Sequence, residues 1–262
     1  MYLKRLRETL NWKIFIIILL ILCSISGCSL LDIFSKKETV KNTPEWLYSR
    51  GAAEFQKSNY YNDYKKAREY FMRVKEEYPL HNLAILAEIG IADCYYSDKE
   101  YMEAENAYND FITLHPTNEN VPYAIYQIGM CHYNQIDAID RDQTSAIKAK
   151  KEFEKLVSRH PDSKFAIMAE KLIHECKQKL AEAEFYVGYF YFKQKKYQAA
   201  LARFETIARD YANVGLDYKV EYFVNETKAK IAEEEKLKKD EEEKLKKVQQ
   251  EKSRTAKNNI QP

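Results

Sequence analysis

Four alanines in a common register along this chain are each followed by three residues and then an aromatic ring: Ala67 with Phe71, Ala104 with Tyr108, Ala149 with Phe153 and Ala200 with Phe204. Three of these pairs lead to a proline, at Pro79, Pro116 and Pro161; the fourth reaches Ala212 instead. Upstream, the second unit reads Ile91-Ala92-x2-Tyr95, the third Ile128-Gly129-x2-His132 and the fourth Val187-Gly188-x2-Tyr191, while the start of the first unit has no clear match. The spacing has a packing rationale. Small residues let two antiparallel helices approach, and the aromatic one turn further on fills the space between them. One hairpin cannot bury its apolar face alone, so three or more must stack.

The period and order of these positions match the tetratricopeptide pattern. The expected fold is therefore all-α: a tetratricopeptide-like helical-hairpin solenoid of four to five repeats with a charged C-terminal helix. Six glycines and six prolines in 262 residues agree, because a turn-rich β fold would need more of both. The spacing predicts helices near 44–58, 62–77, 81–97, 100–113, 120–134 and 143–159, with a longer loop in the third unit. From Ser163 to about Lys195 no proline intervenes, which predicts one helix of about 50 Å at about 1.5 Å per residue. The solenoid is expected over 44–216. Residues 217–262 form a charged helical tail whose "EEEKLKKDEEEKLKK" supports a solvated helix through i,i+4 pairs and offers no heptad seam.

The N-terminal residues have a different character. Lys4, Arg5, Arg7 and Lys13 precede the apolar run Ile14 to Leu22, which is too short to span a bilayer and fits a signal-peptide core. It ends in "ISGC", aliphatic, small, small and Cys, which resembles the lipobox of bacterial lipoproteins. The expected division is a signal peptide over 1–27, a lipid on Cys28 and a tether over 28–43. Ser29 follows the cysteine where retention at the inner membrane is associated with Asp, so this resemblance implies the periplasmic face of the outer membrane.

From residue 28 onward the chain holds 38 basic and 39 acidic residues, which gives no support for a nucleic-acid footprint. Cys94, Cys131 and Cys176 are odd in number, without a CxxC pair, and lie on apolar helix faces; they read as buried thiols. The five histidines share no metal-ligand spacing, and no phosphate loop, GxSxG elbow or Cys-His signature is present. A non-enzymatic protein without metal or cofactor is expected, apart from the covalent lipid on Cys28. Repeat stacking creates a groove instead. Counting from the repeat positions directs Trp46, Asp93, Tyr96, Tyr123, Tyr126 and Tyr133 toward it, then Tyr189 and Phe192. Aromatic rings there suit peptide capture.

The lipobox, the repeats and the stretches "DRDQTSAIKAKKEFEKLVSRHPDSKFAIMAEKLI" and "AEFYVGYFYFKQKKYQAALARFETIARDYAN" resemble the ComL family, the BamD-like lipoprotein subunits of the β-barrel assembly (BAM) machinery. The resemblance covers about residues 44–215. It implies a scaffold that receives C-terminal segments of unfolded outer-membrane proteins and docks the POTRA domain of a BamA-like barrel protein, alongside other BAM lipoproteins. It also implies docking through basic residues near the end of the last repeat: Arg209 matches one by position, and Lys219 beside Tyr218 stands where the family has a further arginine. The alternative reading is an envelope repeat lipoprotein that coordinates peptidoglycan synthesis or cell division.

Overall fold

The computed structural model describes residues 42–61 and 63–258; the expected signal peptide, Cys28 and most of the tether lie outside the described residues. Nine helices make up the described chain: α1 (Pro44–Tyr61), α2 (Lys65–Glu77), α3 (Asn82–Ser97), α4 (Tyr101–Leu114), α5 (Val121–Tyr133), α6 (Thr144–Arg159), α7 (Lys164–Lys193), α8 (Tyr197–Asp210) and α9 (Asp217–Asn258). No strand occurs among the described residues. The fold is all-α, with helices packed in consecutive pairs. The chain divides after Ala87, within α3, into two compact units.

In the first unit α1 packs on α2. A Cβ added at Gly51 would lie 2.8 Å from the Phe71 ring. Gly51 is thus the small-residue position that the sequence did not reveal, because α1 runs ten residues beyond it to Tyr61, whereas α3 and α7 run five beyond Ala92 and Gly188. The end of the expected tether is held in this unit. Thr43 Oγ1 caps α1 by accepting the Trp46 N–H at 3.2 Å, Arg73 donates to Asn42 Oδ1 at 3.1 Å, and the Tyr78 hydroxyl donates to the Asn42 carbonyl.

In the second unit the hairpins repeat one contact. A Cβ on Gly129 would lie 2.4 Å from Phe153, and one on Gly188 2.8 Å from Phe204. Ala104, Ala149, Ala200 and the aromatics Tyr108, Phe153 and Phe204 are fully buried, as the spacing requires. His115 and His160, each before a proline, end their helices at φ −129° and −137°. A following proline disfavours the helical region. Tyr211 adopts φ −132° before Ala212, so the fourth repeat ends in the same way without its proline. Ser163 starts α7 by accepting the Phe165 N–H at 3.2 Å, and α7 runs unbroken for 30 residues, about 45 Å.

The charged tail is not a lone helix from its first residue. Val220 is 2 % exposed and Thr227 is fully buried. Val220, Phe223 and Val224 pack with Phe185, Phe204, Ile207 and Val214 of the last hairpin. Phe223 touches four rings of α7 and α8, those of Phe185, Tyr189, Phe192 and Phe204, with centroids 5.4–5.5 Å away. Only beyond about Glu235 is every described side chain exposed.

Candidate functional site

Trp46 belongs to the first unit. Its half-buried ring meets Tyr70 edge-on at 6.1 Å, and the Arg50 guanidinium sits 5.9 Å from both ring centroids. Arg50 also lies 3.6 Å from Glu54, which Lys57 and Lys66 approach at 3.7 and 3.5 Å. Burying a carboxylate this deeply is favourable only with such cationic company.

The other expected groove residues belong to the second unit, where carboxylates hold Tyr123 and Tyr133 in place. Asp93 Oδ1 on α3 accepts the Tyr108 hydroxyl of α4 at 2.5 Å and the Tyr123 hydroxyl of α5 at 2.7 Å. Gln127 Nε2 donates to the same Tyr123 oxygen at 2.8 Å. Burial raises the Asp93 pKa above the usual carboxylate range, and the two phenol hydrogen bonds counter part of that rise. Burial and the nearby Asp93 charge push both phenols up, so Tyr108 and Tyr123 stay protonated donors. One acid therefore joins three helices.

Tyr133 donates to Glu175 Oε2 of α7 at 2.6 Å; burial, then that carboxylate, pushes its pKa to about 12. Tyr96 accepts from Asn134 Nδ2 at 2.7 Å and meets Tyr101 at 5.7 Å. Tyr126 packs between Phe153 and Phe165, at 5.9 and 5.7 Å. Four of the five residues expected in this unit's groove thus have polar atoms engaged within the protein. What they present outward is ring surface in fixed orientation, suited to apolar contact. Gln127 on α5 and Phe165 and Glu175 on α7 escaped the sequence reading because no motif marks them. Tyr108 was visible, but only as a packing residue.

Tyr189 and Phe192 do not join these rings: Phe223 of α9 packs edge-on against both at 5.5 Å. Counting repeat positions placed them outward because it took no account of α9. Cys94, Cys131 and Cys176 are free and buried. Burial first, and then Glu105 or Glu175, pushes the thiols of Cys131 and Cys176 up to about 12, so neither is a nucleophile at neutral pH. Among the described residues no group of three His, Cys, Asp or Glu side chains is placed to hold a metal ion.

The expected docking residues lie at the far end of the same unit. Arg209 is exposed and turns its guanidinium onto its neighbour Asp210, with both nitrogen–oxygen distances at 2.8 Å. Lys219 lies with Nζ 4.0 Å from the Phe185 ring centroid. Ile207, Tyr211, Val220 and Val224 line an apolar cleft of about 210 Å³, with Asp217 and Glu221 beside it.

The fold and these surfaces define a helical-hairpin repeat protein of the tetratricopeptide kind, equipped with aromatic and charged contact faces. Residues 40–245 match the YfiO family, described as outer membrane lipoprotein, and the chain belongs to that family. Relatives named outer membrane protein assembly factor BamD come from Rickettsia prowazekii, 32% identical over 63% of this chain and 64% of the relative, and Caulobacter vibrioides, 28% identical over 72% and 60%. A third, from Neisseria meningitidis serogroup B, is 28% identical over 72% of this chain and 74% of its own length. The chain thus spans less than two thirds of the first two relatives. No described helix is long and apolar enough to cross a membrane.

Proposed function

We propose that this protein is a non-catalytic, lipid-anchored scaffold and substrate receptor in the assembly of outer-membrane β-barrel proteins. The observation that carries the reading is the family match across 40–245, which takes in every hairpin and the first part of the charged helix. Relatives named as outer membrane protein assembly factors support it. Cys28 carries the lipid at the periplasmic face of the outer membrane, and residues 28–43 form the tether.

The rings of Tyr123 and Tyr133, pinned by carboxylates, and those of Tyr96 and Tyr126, held by Asn134 and by neighbouring rings, receive extended C-terminal segments of unfolded outer-membrane proteins, and so, in the first unit, does Trp46. Rigid rings lose little entropy on binding, and hydroxyls already satisfied inside the protein favour apolar, aromatic ligands over polar ones. Arg209 and Lys219 dock a BamA-like barrel protein through its POTRA domain, with Arg209 exchanging Asp210 for an acid on the partner. Other lipoproteins of the same complex complete the assembly.

Affinity capture of the lipidated protein from detergent-solubilised membranes tests this reading. Recovery of a barrel protein with POTRA domains is expected. Recovery of cell-wall synthases instead, with barrel levels unchanged on depletion, would replace it with a role in peptidoglycan synthesis or division.

A further inference from the structure

The second half of α7 carries an aromatic ridge that the last hairpin leaves partly exposed and the proposed docking residues do not use, with Phe223 against one side of Tyr189. Tyr186, Tyr189 and Phe190 are 48, 37 and 54 % exposed. They fall on one helical stripe with Lys193, whose Nζ lies 5.2 Å from the Tyr189 ring centroid. Tyr189 stacks on Phe185 at 6.2 Å and 13°, so the ridge has a rigid base.

The charge of the adjoining turn departs from that of its equivalents. Lys99 in the turn from α3 to α4 and Lys195 in the turn from α7 to α8 share the left-handed conformation, at φ 63° and 59°. Yet the first turn reads Asp98-Lys99-Glu100 and the longer α5–α6 loop carries Asp137, Asp140 and Asp142, whereas this one reads Gln194-Lys195-Lys196. The same geometry accepts either sign, so turn geometry does not account for the basic character. From Phe185 to Phe204 there is no acidic residue at all in a chain with 40 of them. Glu182, one turn before Tyr186, ends the ridge on its other side and is engaged by Gln178 at 3.0 Å.

We propose that this ridge is a membrane-contact face, on which the aromatic rings enter the interfacial layer of a phospholipid leaflet while Lys193, Lys195 and Lys196 meet anionic headgroups. Tyrosine and phenylalanine flanked by lysine is the composition of the bilayer interface, where rings sit at headgroup depth and lysines extend outward. A bilayer fits better than a polypeptide. The ridge is the outward stripe of one helix, whereas a peptide needs a groove such as the α8–α9 cleft, and an outer membrane lipoprotein works beside a leaflet. The inference is independent of any role in barrel assembly.

The test places a tryptophan by Phe190→Trp, and separately by Tyr186→Trp. Fluorescence is read in the lipidated chain that begins at Cys28, against the parent background of Trp46, in vesicles of phosphatidylethanolamine and phosphatidylglycerol with brominated acyl chains. Met102→Trp, at a site 71 % exposed on α4, reports simple tethering. A blue shift and bromine quenching at 190 or 186 but not at 102 are expected. Both should be lost with Lys193→Glu, Lys195→Glu and Lys196→Glu together, and reduced by salt. Helical circular dichroism verifies that each variant is folded. No shift at either probe in folded protein, equal quenching at 102, or the same response with phosphatidylcholine alone would overturn the proposal.

Discussion

A Cβ placed on Gly129 would stand 2.4 Å from Cε1 of Phe153, closer than side chains pack anywhere in a relaxed core. The α5–α6 hairpin is therefore built around the absence of a methyl group. Gly129→Ala should force the buried Phe153 ring aside and cost about 1–3 kcal/mol, the usual range for overpacking. Urea denaturation should show this loss. The same change at Gly215, which faces open space at φ +85°, should instead show only the backbone cost of about 1–2 kcal/mol.

Phe223→Ala should release the start of α9 from four rings. Because the side chain is only half-buried, the expected loss is about 2–3 kcal/mol, below the range for a fully buried ring. Amide hydrogen exchange should accelerate in α8 and the first turns of α9 while α5 and α6 stay protected. Uniform acceleration would mean that the last hairpin and its neighbours unfold as one.

Asp93 offers a pH signature. Its folded pKa is raised, so the folded state holds this proton more tightly than the unfolded chain does. Stability from this group is present at low pH and is lost as pH rises from the ordinary carboxylate value through the raised one. Asp93→Asn keeps an acceptor for Tyr108 and Tyr123 and should flatten that dependence. Asp93→Ala leaves two buried hydroxyls without their acceptor and should cost about 1–3 kcal/mol at every pH. Urea midpoints of the three proteins between pH 4 and pH 7 decide the matter.

Tyr126→Ala combined with Tyr133→Ala should reduce photo-crosslinking to an aromatic C-terminal peptide of an outer-membrane β-barrel protein. Unchanged helical circular dichroism would show that the hairpins persist. Crosslinking at the parental level in folded protein would remove these rings from the proposed receptor face.

Arg209→Glu sets a second carboxylate beside Asp210 on an exposed helix end. It should lower recovery of a POTRA-containing barrel protein while leaving thermal unfolding and peptide crosslinking unchanged. Parallel loss of both binding readouts would indicate damage to the fold.

The hairpins were legible because their spacing is a local signal: a small residue, an aromatic ring and a helix stop recur within one repeat, and the helices fall within a few residues of where the spacing put them. Gly51 was missed because α1 extends further beyond it than the equivalent helices do, which broke the count. The polar clusters were harder to see. Asp93, Tyr108 and Tyr123 come from three helices, and Tyr133 meets Glu175 across 42 residues of sequence, so only tertiary packing joins them. The burial of Val220 and Phe223 was masked by the strongly charged segment that follows them in the same helix.

Phe223 has one more consequence. A stack of like hairpins has no intrinsic reason to stop, since each last member exposes the apolar surface that the next would cover. By beginning with Val220, Phe223 and Val224 and continuing into glutamates and lysines, α9 turns that sticky edge into a hydrated one. The array is terminated from within its own sequence: where a further hairpin would have to add, it meets a charged helix.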